Sequence, residues 1–477
     1  MDERSAHVVV IGAGPAGVMA ALRAAELGAR ATLITRDDFG GMAANDGPVP
    51  VRTLAHAARL FRGVAQLERY GVSIGAPALD YSRLLARVRE VVEDVRQHSS
   101  LREHIDRLGV TLYERTGHAR FVDPHTVETE SGLRMRADRF VLCTGGTNRR
   151  PAVPGAEHTA TVSDAWSLTE VPRSMLVIGA GMTGAQVASI FQSFGTRVTL
   201  FQAGPRILPA EDEDVSAAVV SAFRAMGMEV REDFGIIESF EKTHSGVRMS
   251  FAKNGVRDSM EAALAVAAIG WVADPSRLNF EVAGIETNSR GFLAVDEYLR
   301  TSASHIYAAG DITGRWMLVP QAVHDGWVAA TNAVRGPTRK LDEGVCPIGG
   351  FTEPEYARVG LSEASARESH DVVVGKVEFD ETTRTIIDGR TEGFCKLLVD
   401  RGSHRILGCH VVGERAVEIV QVVAIAMASG IPVEDLARIP LSFPTYAGIL
   451  GRAAYRAAQQ LGLEQDTPNQ HGDALRA

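Results

Sequence analysis

The chain has 477 residues, more than one hydrophobic core ordinarily serves, and at about 100–200 residues per domain it should divide into about three. Hydrophobic residues make up 45% and charged residues 23%, the balance of a globular protein in water, and a net charge of −9 argues against nucleic acid or an anionic membrane as partner. No basic, apolar leader opens it and no apolar run nears the ~18 residues of a membrane span, so a cytoplasmic protein without membrane insertion is expected.

Val8-Val9-Val10-Ile11 reads as a strand that breaks into Gly12, Gly14 and Gly17, spaced G-x-G-x-x-G, before an Ala/Leu-rich helix. Gly12 permits the turn, Gly14 lets the backbone approach a pyrophosphate, and Gly17 lets helix and strand touch. A lone motif of this kind also arises for structural reasons. A second strand, Ala31 to Ile34, ends at Thr35, where an acidic residue usually grips a ribose. After Phe39 to Leu54 comes a helix-like segment to about Leu67. Asp80 to about Leu108 reads as helix with a polar break at Ser99-Ser100, and Val110 to Val127 as strands turning at Asp123-Pro124. Phe140 to Cys143 is a strand that runs into Thr144-Gly145, and Pro151 to Gly155 marks a boundary.

Met175 to Ile178 then repeats the opening pattern with Gly179, Gly181, Thr183 and Gly184, followed by a strand, Val198 to Phe201, that ends on Gln202. Two copies predict two dinucleotides. This unit ends near Pro275, after Ala267-Ala268-Ile269-Gly270-Trp271. His305 to Ala309 is a strand running into Gly310-Asp311, ahead of a helix-like Gln321 to Val334. Strands around Gly393 to Val399 and Ile406 to Val411 precede an apolar helix from Glu414 to Ser429, and the polar tail from Glu464 is expected to be disordered. Cys143, Cys346, Cys395 and Cys409 have no metal-type spacing, so no metal site is expected. Three sit in strand-like runs and read as small buried hydrophobes in preference to reactive thiols.

The frame Gly40-Gly41-x-x-x-Asn45-x-Gly47-x-x-Pro50-x-x-Thr53-Leu54 resembles the redox-active loop and helix of the pyridine nucleotide-disulfide oxidoreductases, which include dihydrolipoamide dehydrogenase, glutathione reductase and mercuric reductase. The resemblance covers nearly the whole chain. It implies an α/β fold: two Rossmann-like dinucleotide-binding domains, for FAD (1–150 and 276–345) and NAD(P) (151–275), then an α+β dimerisation domain (346–463) and a tail (464–477). It also implies a homodimer. In this register Ala16, Arg36, Gly41, Met42, Ala119, Thr144 and Gly145 would meet the flavin nucleotide, Asp311 its ribityl chain, and Gly270 the nicotinamide nucleotide. Phe351-Thr352-Glu353-Pro354-Glu355 resembles the start of the dimerisation domain. The departures are specific. The family's two cysteines fall on Ala43 and Pro48, its flavin-contacting lysine on Arg52, the glutamate after its second glycine motif on Gln186, and its catalytic histidine and glutamate on Phe443 and Gly448.

A reduced flavin needs no thiol to reduce a quinone, dioxygen or a second nicotinamide. The expected function is therefore an FAD-dependent NAD(P)H:acceptor oxidoreductase without a redox disulfide, with transhydrogenation as the second reading. A non-catalytic dimeric paralogue that binds or senses nucleotides is the third, favoured by Thr35 and Gln202. The acceptor, quinone-like or another small flat molecule, would lie between Ala43, Pro48 and the partner subunit's Phe443 and Tyr446, the tyrosine serving as proton donor or aromatic wall. Arg52, facing neutral Gln186, would keep its charge for the flavin. Gln202 tolerates a 2′-phosphate and thus NADPH over NADH, with Arg206 either binding that phosphate or merely solvated. His56 and His324 could face the flavin or the surface.

Overall fold

The computed structural model describes residues 4–98, 100–273, 275–342 and 344–463. The expected tail from 464 and Ser99 of the expected helix break lie outside these residues. The first β-branched run forms β1 (Arg4–Ile11), followed by α1 (Pro15–Glu26), β2 (Ala31–Ile34), α2 (Gly41–Asn45) and α3 (Pro48–Leu67). Two helices, α4 (Tyr81–His98) and α5 (Ser100–Arg107), lead to β3 (Thr111–Tyr113), β4 (Ala119–Asp123), β5 (Thr126–Thr129) and β6 (Arg134–Leu142). The parallel order is β3-β2-β1-β6, with β5 and β4 added antiparallel along the first half of β6. Val8, Val9 and Val10 are fully buried because both faces of the sheet are covered, that of Val8 and Val10 by α1 and α9 and that of Val9 by Phe121, Val127, Ile285 and Leu293.

The chain then crosses through β7 (Thr147–Asn148) to a second parallel sheet. Its elements are β8 (Ala160–Thr161), α6 (Val162–Trp166), β9 (Ser174–Ile178), α7 (Met182–Ser193), β10 (Arg197–Gln202), α8 (Glu213–Ala225) and β11 (Glu229–Glu232). An antiparallel flap of β12 (Ile236–Lys242), β13 (Val247–Lys253) and β14 (Val256–Ala262) follows, then β15 (Leu264–Ala267) and β16 (Trp271–Val272), which pairs back onto β7. The order is β11-β10-β9-β15-β8. Next, β17 (Ile306–Ala308) joins the first sheet, parallel to Phe140–Leu142 of β6. Helix α9 (Val319–Arg335) crosses α1 so closely that a Cβ on Gly326 would lie 2.1 Å from the Ala16 carbonyl oxygen.

The last unit is an antiparallel sheet, β18-β19-β22-β21-β20, built from β18 (Ile348–Gly350), β19 (Tyr356–Gly360), α10 (Glu363–Ser369), β20 (Val372–Glu378), α11 (Thr383–Asp388), β21 (Phe394–Asp400) and β22 (Ile406–Val412), with α12 (Ala416–Ala428), α13 (Val433–Arg438) and α14 (Gly448–Gln460). Strand alternation divides its faces. Val359, Cys395, Leu397, Cys409 and Val411 pack beneath α12 and α14. Arg358, Lys396 and His410 form a row on the other face, toward the start of α8. There the Lys396 ammonium lies 2.8 Å from both Asp212 and Asp214, and Arg358 lies 3.2 Å from Glu211. Buried charges persist here because they are paired. No helix among the described residues is long and apolar enough to cross a membrane.

Candidate functional site

The two glycine turns are built alike. At the first, a Cβ on Gly12 would lie 2.2 Å from the Cys143 carbonyl oxygen and one on Gly17 1.7 Å from that of Gly12, whereas one on Gly14 would meet nothing within 4 Å. At the second, a Cβ on Gly179 would lie 2.4 Å from the Ala268 carbonyl oxygen and one on Gly184 1.8 Å from that of Gly179, and Gly181 is again open. The outer glycines permit chain-to-chain contact, and the middle one leaves room at a helix N-terminus for an anion. The residues present therefore fit a dinucleotide at both turns.

Around the first turn, Gly41, with φ +56°, abuts Gly14, and the Gly40 N–H donates to the Ala13 carbonyl at 2.9 Å. Met42, half-buried, is the next residue of α2. Beyond β2 the backbones of Thr35 and Arg36 accept hydrogen bonds from the N–H groups of Thr116 and Gly117, which brings the stretch before Ala119 alongside them. Thr35 is buried, and the Arg36 guanidinium pairs with Asp37 at 2.6 Å. Thr144 and Gly145 come one residue after the end of β6. Gly310 turns the chain into Asp311, whose half-buried carboxylate has no hydrogen-bond partner among the described residues. Burial and the charge of Asp325 push that carboxyl up. An unpartnered carboxylate next to the turn after β6, where its Cβ lies 3.9 Å from a Cβ placed on Gly146, suits the hydroxyls of a ribityl chain. Asp325, which the sequence did not single out, accepts from the Gly310 N–H and from Gln321 at 3.1 Å.

The second turn opens into a cleft of about 600 Å³, lined by Asn148, Gly181, Thr183, Gln202, Ile236, Gly270 and Trp271 among others. Gln202 Oε1 accepts from the Ala180 N–H at 3.0 Å, which leaves its Nε2 for a ligand. Arg206 is not positioned as a phosphate clamp. Its guanidinium donates to the carbonyls of Leu208, Glu211 and Pro209 at 3.1, 2.7 and 3.2 Å, so its own loop holds it. Asn148 and Ile236 were not legible as cleft residues, since they arrive from a crossing strand and the flap.

Arg52 and Gln186 meet as expected, with Nη1 donating to Oε1 at 2.7 Å. Gln186 Oε1 also accepts from the Phe351 N–H at 3.3 Å. The charge on Arg52 is less free than its neutral partner suggested. Burial pushes the guanidinium down to about 10, nearby Glu355 supports it, and it lies 3.0 Å over the Phe351 ring. Protonation at neutral pH is retained, but part of the field is directed at Glu355. His56, exposed on α3, and Arg52 share a polar cavity of about 210 Å³ with Arg59, Glu355 and Glu414. His324 is half-buried on α9 next to Asp325.

Phe443 is 75% exposed on a single chain, so it lines no site of its own subunit. Tyr446 is not a free proton donor: its hydroxyl donates to Asp388 at 2.8 Å, the ring lies near Phe379, and burial with Asp388 pushes the phenol well up. Ala43 is half-buried and Pro48 exposed, flanking the bend between α2 and α3. The four cysteines are free thiols, and none is in that bend.

A family model described as pyridine nucleotide-disulphide oxidoreductase matches residues 6–326, and the dimerisation domain of that family matches residues 346–454. A mercuric reductase of Lysinibacillus sphaericus is 30% identical over 457 residues, covering 95% of this chain and 83% of that protein. A dihydrolipoyl dehydrogenase of Vibrio cholerae is 30% identical over 465 residues, 95% of each. Among solved structures, the Cu(II) complex of the HOCl-induced flavoprotein disulfide reductase RclA from Escherichia coli superposes with a TM-score of 0.83 at 25% identity, over 95% of this chain and 99% of that one.

Proposed function

The chain belongs to the pyridine nucleotide-disulphide oxidoreductase family, and from that premise we propose that it is an FAD-dependent NAD(P)H:acceptor oxidoreductase that works without a redox disulfide. The observation that carries this reading is the bend between α2 and α3, where Ala43 and Pro48 stand and no cysteine does. Cys143 is sealed beneath the first glycine turn, with its thiol pushed up by burial, and Cys395 and Cys409 lie in the core of the last unit. Cys346 is half-buried at the start of that unit. Neither mercuric ion nor a dihydrolipoyl group carries over as substrate, because the bend offers no thiolate to bind the one or exchange with the other.

Flavin, once bound, supplies a carrier that takes two electrons from a reduced nicotinamide and passes them on without a thiol. The chain's own part is placement. The N-terminus of α1 would hold the flavin pyrophosphate and Asp311 its ribityl hydroxyls, and Arg52 would supply a cation to the electron-rich ring. The N-terminus of α7 would hold the second pyrophosphate. Gln202 offers Nε2, a donor, to the ribose, which suits a 2′-phosphate and supports NADPH as the electron source. The match to the dimerisation domain, with Phe443 and Ile425 exposed on one chain, supports a homodimer in which the partner subunit's Phe443 walls the acceptor space beside Ala43 and Pro48.

The test is an anaerobic acceptor screen that follows NADPH oxidation, run on the protein and on a folded variant with all four cysteines replaced by alanine. Quinone reduction should persist in both. Phe443→Ala should raise the Michaelis constant for the acceptor several-fold and leave flavin reduction by NADPH unchanged. Turnover with disulfides alone, or a folded cysteine-free protein unable to turn over, overturns the reading.

A further inference from the structure

A hydrogen-bond relay runs from the bend between α2 and α3 into the wall of the second cleft. Asp46 Oδ2 accepts from the Ser163 hydroxyl at 2.5 Å, and Ser163 Oγ accepts from Asn148 Nδ2 at 2.8 Å. Of the three, Asn148 lines the cleft. Asp46 is the one titratable side chain between Phe39 and Val51. Burial pushes its carboxyl up, and the Ser163 hydroxyl pulls it back toward the charged form.

This arrangement fixes a direction. A carboxylate accepts and cannot donate, so the single hydroxyl proton of Ser163 points at Asp46 and its lone pairs are left for Asn148. The Asn148 amide therefore keeps Nδ2 inward. Its Oδ1, which bonds to no described residue, is left as an acceptor on the cleft wall.

Sheet order locates that acceptor. Across the carboxyl ends of β10, β9, β15 and β8 the cleft passes Gln202, then Gly181, then Gly270, and finally Val162, just beyond β8 and next to Ser163. With a pyrophosphate at Gly181 and the adenosine ribose at Gln202, the nicotinamide ring falls at the far end, beside Asn148. That ring carries a 3-carboxamide with two N–H donors. We propose that Asn148 Oδ1 accepts a hydrogen bond from the nicotinamide carboxamide, and that Ser163 and Asp46 are positioning residues that hold the Asn148 amide in that sense. The inference rests on reading the second cleft as the nicotinamide site. It also makes a residue of the first unit, Asp46, set the polarity of a wall in the second.

The test titrates the full-length protein by calorimetry with NADP+ and with its 3-acetylpyridine analogue, in which a methyl group replaces the carboxamide NH2. Binding is read because that replacement also alters hydride transfer. The protein should bind the carboxamide form about five- to tenfold more tightly, the worth of one hydrogen bond. In Asn148→Leu the ratio should fall to about one, and in Ser163→Ala, where the amide is free to turn, it should fall in between. Equal affinities in the unmodified protein, or an unchanged ratio in Asn148→Leu, overturn the inference and leave the cleft reading standing. Should Asn148→Leu not fold, an unchanged ratio in Ser163→Ala overturns the relay. Failure of the unmodified protein to bind either nucleotide overturns both.

Discussion

Gly181 and Gly184 lie three residues apart in one turn, and alanine should act oppositely at the two. A Cβ on Gly184 would sit 1.8 Å from the Gly179 carbonyl oxygen, where ordinary contact begins at 3.4 Å. The start of α7 must then move off β9 by about 1.5 Å, and overpacking of this kind costs about 1–3 kcal/mol. Because the obstacle is backbone and α7 buries Ala185, Val187, Ala188, Ile190 and Phe191, the upper figure applies. At about 2–4 °C per kcal/mol, Gly184→Ala should lower the melting temperature by about 6–12 °C. Gly181 has φ −74°, which any residue adopts, and a Cβ there meets nothing within 4 Å. Gly181→Ala should therefore melt no lower than the unmodified protein. Its methyl group does occupy the space in front of the helix N-terminus, where charge-assisted hydrogen bonds to a pyrophosphate are worth about 1.5–3 kcal/mol. NADP+ affinity should fall about 10- to 150-fold. Differential scanning calorimetry and isothermal titration on both variants decide the matter. Gly181→Ala with undiminished affinity would refute the placement of the pyrophosphate over this turn.

Arg52→Met should lower the two-electron potential of the bound flavin by about 20–45 mV, for a guanidinium attraction of about 1–2 kcal/mol. Spectroelectrochemical titration reads it, and an unchanged potential shows that the field of Arg52 ends at Gln186 and Glu355. Glu355→Gln should show a pH-dependent gain in stability. Burial and Glu414 push the Glu355 carboxyl from 4.5 up to about 7 in the folded chain. The unfolded chain releases this proton first, so stability falls as pH rises from about 4.5 to 7, and the penalty is complete above that. Urea unfolding should find the variant more stable at pH 8 by at most about 2–3 kcal/mol, less the forfeited Arg59 contact, and no more stable at pH 4.5. A gain equal at both pH values would assign it to packing instead.

Much of the fold was legible because it depends on local chemistry. Buried parallel strands read as apolar runs at Val8 and Met175, and the glycine spacing that follows each is dictated by contacts of one strand-turn-helix unit with itself and with the neighbouring strand end. The helix expected from Glu414 to Ser429 is α12, and that expected from Gln321 to Val334 is α9. The Arg52–Gln186 contact followed from family register. What escaped was side-chain direction set by distant partners. Nothing local to Arg206 says that it will fold back onto its own loop, or local to Tyr446 that Asp388 will take its hydroxyl. Asp46, Ser163 and Asn148 belong to three separate segments, and no periodicity connects them.

The addition of β17 to the first sheet has a consequence for the order in which the molecule can assemble. The strand that completes this sheet lies at Ile306–Ala308, beyond the whole second sheet in the chain, and Gly310-Asp311 follow it. During synthesis the first glycine turn therefore leaves the ribosome long before the carboxylate expected to face it. Until β17 arrives, the carboxyl half of β6 is an open edge, a template for mispairing. A fragment ending near residue 150 should aggregate through that edge, and flavin capture should come late in folding, after the second sheet has formed.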